Sequence, residues 1–137
     1  AFQHVEDLCR ALQSDLFAAL EGEVYDLIVP NPPYVTEQEF AALPPEYGHE
    51  PALGLTAGED GLDFALRILD KAPKHLSADG WLICEVGEAE RALGALLPRL
   101  PFNWIEFAVG QMGVFAIARA DIVQHAKAIK AALAKRK

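Results

Sequence analysis

The sequence is short of cysteine, of long apolar runs and of positive charge, and each shortage excludes something. Two cysteines, Cys9 and Cys84, among 137 residues are too few for a disulfide scaffold. Each sits in an apolar pattern, so both are expected to be buried free thiols in a reducing compartment, which makes the cytoplasm the expected location. No uninterrupted apolar stretch approaches the roughly 18 residues that span a membrane. The start, Ala1-Phe2-Gln3-His4, has no basic region followed by an apolar one, so no secretory signal is expected there. His4, His75 and His125 have no second ligand at metal spacing; they are expected at the surface, and no metal site is expected. Twelve Lys and Arg against twenty Asp and Glu leave a net charge of −8. That disfavours broad capture of nucleic acid, whose affinity depends on many phosphate contacts. The basic tail, Lys127, Lys130, Lys135, Arg136 and Lys137, reads as a solvated helix end that suits the helix dipole.

What is present describes an ordinary globular domain. Apolar residues make up 52% of the chain and charged residues 23%, and the length suits one domain with a real core. Phe2, Val5, Leu8 and Cys9 recur at helical spacing over residues 2–10. Residues 11–14 suggest a short strand ending at Asp15, and residues 25–29 a buried strand. Thr36 and Glu39 form a capping-box pattern over a short helix at 36–42. Residues 43–60 are a long Pro- and Gly-rich loop of the kind that is usually functional. A helix is expected over 61–76, kinked at Pro73, then a turn at 77–80 and a strand at 81–86. A helix at 88–97 stops at Pro98. Strands at 103–109 and 114–118 flank a glycine-bounded connection at 110–113, and a helix follows from Asp121. Trp81 and Trp104 are expected as core or interface anchors. This order implies an α/β sheet with a parallel centre and an antiparallel edge pair. In open sheets of that kind, ligands bind beyond the carboxyl ends of the strands.

One such end is unusual. Leu27-Ile28-Val29 runs into Pro30-Asn31-Pro32-Pro33-Tyr34. Consecutive prolines fix two φ angles and remove two backbone donors. An asparagine amide offers both a donor and an acceptor. The Asn31 side-chain oxygen and the Pro32 carbonyl could together accept both hydrogens of a planar –NH2 group, with Tyr34 stacked on its face. The alternative is a Pro-rich turn in which Asn31 satisfies its own backbone.

The stretch "DLIVPNPPY" (26–34) resembles the signature of enzymes that move a methyl group from S-adenosylmethionine onto planar amino groups. With "SDLF" (14–17), "PPEYGHEPALGL" (44–55), "GEDGLDFALRIL" (58–69), "LICEVG" (82–87) and "FNWIEFAVGQMGVF" (102–115), the chain is similar to the HemK-related protein-glutamine methyltransferases. It is most like the branch acting on large-subunit ribosomal protein L-three. The resemblance covers roughly residues 11–122. It implies a Rossmann-like class I methyltransferase fold, S-adenosylmethionine as co-substrate, no metal, and a ribosomal protein as partner, with neither membrane nor direct nucleic-acid binding. The release-factor branch and an adenine amino methyltransferase of DNA or RNA are the alternatives. It further implies that Asn31, Pro32 and Tyr34 are catalytic and that Asn31, Pro32, Pro33 and Tyr34 hold the acceptor amide. Asp15, Leu16 and Asn31 would border the methyl donor. His49 and Glu50 lie in a family stretch without an assigned role.

The chain also departs from that family. Upstream of Asp15 there is no glycine-rich loop and no ribose-binding acidic residue. The family's N-terminal helical domain has no counterpart, and Gln111-Met112 replaces the usual Gly-Asp pair. Residues 1–137 therefore read as the C-terminal half of a catalytic domain, expected to bind S-adenosylmethionine weakly or not at all by itself. A strand lost from beside residues 25–29 would bare an apolar sheet edge, so the chain is expected to cover that edge by forming a homodimer or with residues 1–14.

Overall fold

The computed structural model describes residues 8–31, 62–108 and 113–136. The expected helix at 36–42, the loop at 43–60, and Pro32, Pro33, Tyr34, His49 and Glu50 lie outside these residues. Four strands form one sheet: β1 (Tyr25–Ile28), β2 (Leu76–Glu85), β3 (Asn103–Trp104) and β4 (Val114–Ala118), in the spatial order β1-β2-β4-β3. β1 and β2 are parallel; β2–β4 and β4–β3 are antiparallel. The fold is thus mixed α/β with a partly parallel sheet, as its pattern of elements implies.

Side-chain alternation divides the sheet into two unlike faces. Leu82, Cys84, Phe115 and Ile117 are 0% exposed, and the register pairs Leu82 with Ile117 and Cys84 with Phe115 on one face. Helix α1 (Asp63–Lys71) contributes Leu66 and Leu69, also 0% exposed, to the core that this face joins. Helix α2 (Glu90–Leu96) adds Leu93, and α3 (Arg119–Gln124) and α4 (Ala126–Ala134) add Ile122, Ile129 and Ala132. Phe102, Trp104 and Phe115 pack edge-on or tilted, with centroids 4.8–5.5 Å apart, a geometry favoured by ring quadrupoles. The opposite face, with Leu27, Trp81, Ile83 and Ala116, is only partly covered.

Several elements differ from the pattern read along the chain. Residues 11–14 form no strand, and β1 is half exposed rather than buried: Leu27 is 52% exposed, and Val29 just beyond the strand 64%. The cause is position, because β1 lies at the sheet edge among the described residues. Trp81, paired with Leu27, is exposed on the same open face, so it anchors no core. Residues 77–80, expected as a turn ahead of a strand starting at 81, instead lie within β2 (Leu76–Glu85) as an irregularity of its pairing with β1. The partner of Tyr25 is Leu76 and that of Leu27 is Trp81, so Ser77–Gly80 bulge outward. Ser77 Oγ donates to Asp26 Oδ1 across this bulge (2.7 Å). Helix α1 gives way to a 3-10 turn at Ala72–His75, with Pro73 at its start; the ring removes the donor that an α-helix needs. The last helix is broken at His125, whose Nδ1–H donates to the Asp121 carbonyl (2.8 Å). The expected strand at 103–109 is ladder-paired only over Asn103–Trp104.

Candidate functional site

β1 delivers Asn31 to the carboxyl end of the sheet. The Glu85 N–H donates to the Pro30 carbonyl (3.4 Å), which ties the end of β1 to the end of β2. Asn31 is exposed there, on the side where open α/β sheets bind their ligands. A groove of about 700 Å³ runs from Asn31 and Pro30 past Tyr25 and Ile68 to Ser14 and Leu16, with Arg10 on its wall. Two of the residues singled out by sequence, Leu16 and Asn31, therefore line one cavity. Its volume is in the range of small-molecule sites.

The 14–20 segment has its own logic. Ser14 Oγ donates to the Leu16 carbonyl (2.9 Å) and accepts from the Ala19 N–H (2.8 Å). The Ala18 N–H donates to the Asp15 carbonyl (3.1 Å), opening the 3-10 turn at Ala18–Leu20. This knot holds Leu16 at φ +54°. A left-handed non-glycine residue costs about 1–2 kcal/mol and persists where the surroundings over-determine it. Asp15 ends no strand. Its carboxylate accepts from the Arg67 guanidinium on α1 (3.3 and 3.4 Å). Behind the turn, Phe17 stacks on His75 with centroids 4.8 Å apart. The His75 Nδ1–H donates to the Glu23 carbonyl (2.9 Å). His75 is thus 7% exposed and not the surface residue its spacing suggested, because the Phe17 stack and that carbonyl satisfy both its face and its donor.

Charge at the groove is local. The Arg10 guanidinium donates to Glu23 Oε1, and this bond holds the Glu23 carboxyl below its ordinary range and raises Arg10 above its own. Cys9 beside it is exposed, not buried as expected; most of the helix expected at 2–10 lies outside the described residues. Cys84 is buried, and desolvation pushes its thiol up to about 12, so it is no nucleophile. Among the described residues there is no cluster of three or more His, Cys, Asp or Glu able to hold a metal ion. No described helix is long and apolar enough to cross a membrane.

A second feature joins the strand ends and escaped sequence reasoning. Gly113 adopts φ +79°, and a Cβ on it would lie 2.0 Å from the Gly87 carbonyl oxygen. The Val86 and Gly87 N–H groups donate to the Gly113 carbonyl (2.6 and 3.2 Å), while the Gly113 N–H donates to Glu90 Oε1 (3.0 Å). The only sequence signal was a glycine at each end of the 110–113 connection, which suggested a turn but not its partner.

Comparison with known proteins follows this geometry. Over 123 residues, 90% of the chain, it is 58% identical to a ribosomal protein uL3 glutamine methyltransferase of Xanthomonas campestris pv. campestris. Over 125 residues, 91% of the chain, it is 56% identical to one of Xylella fastidiosa. Over 126 residues, 92% of the chain, it is 45% identical to one of Francisella tularensis subsp. tularensis. In each case the chain spans 40% of the relative's length. No protein-family model matches. The resemblance read from the motifs is borne out by relatives of that name.

Proposed function

We propose that this chain is the acceptor-binding part of a methyltransferase that moves a methyl group from S-adenosylmethionine to a glutamine side-chain amide of ribosomal protein uL3. The observation that carries this reading is the 45–58% identity, over nine-tenths of the chain, to proteins of that name. The groove joining Leu16 to Asn31 supports it. The finer fold assignment, a class I methyltransferase catalytic domain of which residues 1–137 form the C-terminal part, rests on the same relatives.

The chemistry asks little of the protein beyond position and dipoles. An amide nitrogen is a poor nucleophile because its lone pair is delocalised into the carbonyl. In this reading the Asn31 side-chain oxygen and the Pro32 carbonyl would accept the two amide hydrogens and Tyr34 would pack on the amide plane, while the ring of Pro33 fixes its own φ. Two fixed acceptors favour a pyramidal nitrogen and stabilise the positive charge that develops on it, as preorganised electrostatics. Alignment with the donor is an orientation effect. The proton leaves after transfer, so no strong base is needed. S-adenosylmethionine supplies the methyl group; Asp15, Leu16 and Asn31 are the residues that would border it, and the groove between Leu16 and Asn31 has room for a ligand of its class.

The test is to incubate uL3 with radiolabelled S-adenosylmethionine and the reading frame that contains this chain, and to locate the methyl group by mass spectrometry. A methylglutamine in uL3, lost by a factor of about a hundred or more in Asn31→Ala, is the expected result. Label in a release factor or in DNA instead of uL3 would overturn the choice of acceptor. Titration calorimetry of residues 1–137 alone should detect weak binding of S-adenosylmethionine or none.

A further inference from the structure

Three successive amides tie the end of β2 to the segments on either side of it. The last ladder pair of β1 and β2 is Ile28 with Leu82. Beyond it the Glu85 N–H donates to the Pro30 carbonyl (3.4 Å), one residue before Asn31. The next two amides, of Val86 and Gly87, donate to the Gly113 carbonyl just ahead of β4 (2.6 and 3.2 Å). Gly113 in turn donates its N–H to Glu90 Oε1 (3.0 Å), and the Glu90 N–H donates to the Gly87 carbonyl. Gly87, Gly113 and Glu90 thus close a ring of hydrogen bonds at the end of β2, on the strand next to Asn31. The Glu90 carboxylate is the side chain that completes it. Gly113 is buried, so withdrawing that oxygen leaves a buried donor without its partner. The segment then has to move Gly113, and with it the carbonyl that holds Val86 and Gly87.

We infer that Glu90 is a positioning residue for the methyl transfer: through Gly113 and the end of β2, its carboxylate fixes where Asn31 stands. This inference rests on the function proposed above. Glu90 touches neither donor nor acceptor. It acts through Gly113 on Val86 and Gly87, and through the adjoining Glu85 amide on Pro30 and Asn31. The reaction is sensitive to this because it relies on alignment, and a misplacement of about 1 Å can cost a factor of about a hundred. What the ring requires of Glu90 is an acceptor oxygen at the full length of its side chain, not its charge. Glu88, two residues earlier and exposed, carries the same charge and stands outside the ring, so it separates the two effects.

Steady-state methylation of uL3 by the reading frame that contains this chain tests the inference, with Glu90→Ala, Glu90→Asp, Glu90→Gln and Glu88→Ala compared. Glu90→Ala removes the oxygen; Glu90→Asp keeps the charge but draws the oxygen back by one methylene. Both should lower kcat by about tenfold to a hundredfold and leave KM for uL3 and for S-adenosylmethionine nearly unchanged. Glu90→Gln keeps an oxygen at the same reach and should restore most of kcat, and Glu88→Ala should match the wild type. Melting curves check that each variant is folded, and the aspartate and glutamine variants decide the matter if Glu90→Ala is not. The second readout is the NMR signal of the Asn31 side-chain amide in the same proteins, isotope-labelled at asparagine and assigned by its loss in Asn31→Ala. It should shift in Glu90→Asp and stay in place in Glu90→Gln. Unchanged kcat in Glu90→Asp, or a fall in kcat with the Asn31 signal unmoved, would overturn the inference and leave the proposed function standing. An equal fall in Glu90→Gln would make the requirement one of charge and overturn it too. Absence of methyl transfer to uL3 by the wild type would overturn that function, and the Asn31 signal would then decide by itself whether Glu90 sets Asn31.

Discussion

Two residues show how a small group is decided by its neighbours. Gly113 carries φ +79° and meets the Gly87 carbonyl at 2.0 Å from where a Cβ would stand. Gly113→Ala must therefore both strain its backbone and push the Gly87 turn away from the end of β2. A loss of at least about 3 kcal/mol is expected, from the left-handed backbone and the clash together. Denaturant unfolding measures it, and an unchanged midpoint would mean the two segments separate freely. The cysteines respond to the same logic. Cys84 is buried with its thiol pushed up to about 12, and Cys9 is exposed. A thiol reagent at neutral pH should modify one cysteine per chain rapidly and the second only after unfolding, since the thiolate is the reactive form. Two equally fast thiols would contradict this. The sequence offered both cysteines in apolar patterns, and nothing in a one-dimensional pattern distinguishes a strand that is covered from a segment that is not.

At the scale of elements, the 8–24 segment depends on few tethers. It has no regular structure between residues 9 and 14, and Arg10 reaches Glu23 just before β1. The Glu23 carboxyl is lowered from its ordinary value of 4.5, chiefly by that hydrogen bond. The sign follows from linkage. A lowered carboxyl contributes its full stabilisation above pH 4.5 and loses it as the pH falls through the lower folded value. Amide exchange of residues 10–23 should therefore quicken below pH 4.5, and Glu23→Gln should show the quickened exchange already at neutral pH. Equal exchange in both proteins would remove the tether from the account. β1 illustrates what pattern can and cannot say. Tyr25 to Val29 is legible as a strand from its apolar, β-branched run, and Asn31 as its polar terminus. Whether that strand is central or at an edge depends on what pairs with it, which lies outside the run itself.

For the whole molecule, the decisive fact is a sheet covered on one face. Leu82, Cys84, Phe115 and Ile117 are fully buried, whereas Leu27 and Trp81, neighbours on the other face, are 52% and 42% exposed. Among the described residues no strand pairs with the outer edge of β1, which adjoins that patch. Unpaired backbone groups on an apolar edge favour pairing with another chain. Residues 1–137 should therefore self-associate in a concentration-dependent way, and Leu27→Lys should shift them toward the monomer in light scattering. A wild type that stays monomeric at high concentration, or a variant that associates equally, would show that the edge and face remain open. The chain spans 40% of the length of these relatives.

Sequence alone determined the parts of this protein that depend on local chemistry. Asn31 after the end of an apolar strand, helical structure over 63–71, 90–96 and after 119, the Val114–Ala118 strand and the mixed α/β class were all legible, because periodicity and proline and glycine placement act through bonds between near neighbours. The motifs across residues 14–115 also pointed to the relatives later found. Tertiary structure decided the rest. It broke the strand expected at 11–14, where Ser14 instead ties a turn around a left-handed Leu16. It buried His75 under Phe17 and clamped Gly113 against Gly87. It left Trp81 in the open. Each of these depends on partners distant in sequence or on coverage of a face, and no local pattern encodes which of two apolar faces will find something to cover it.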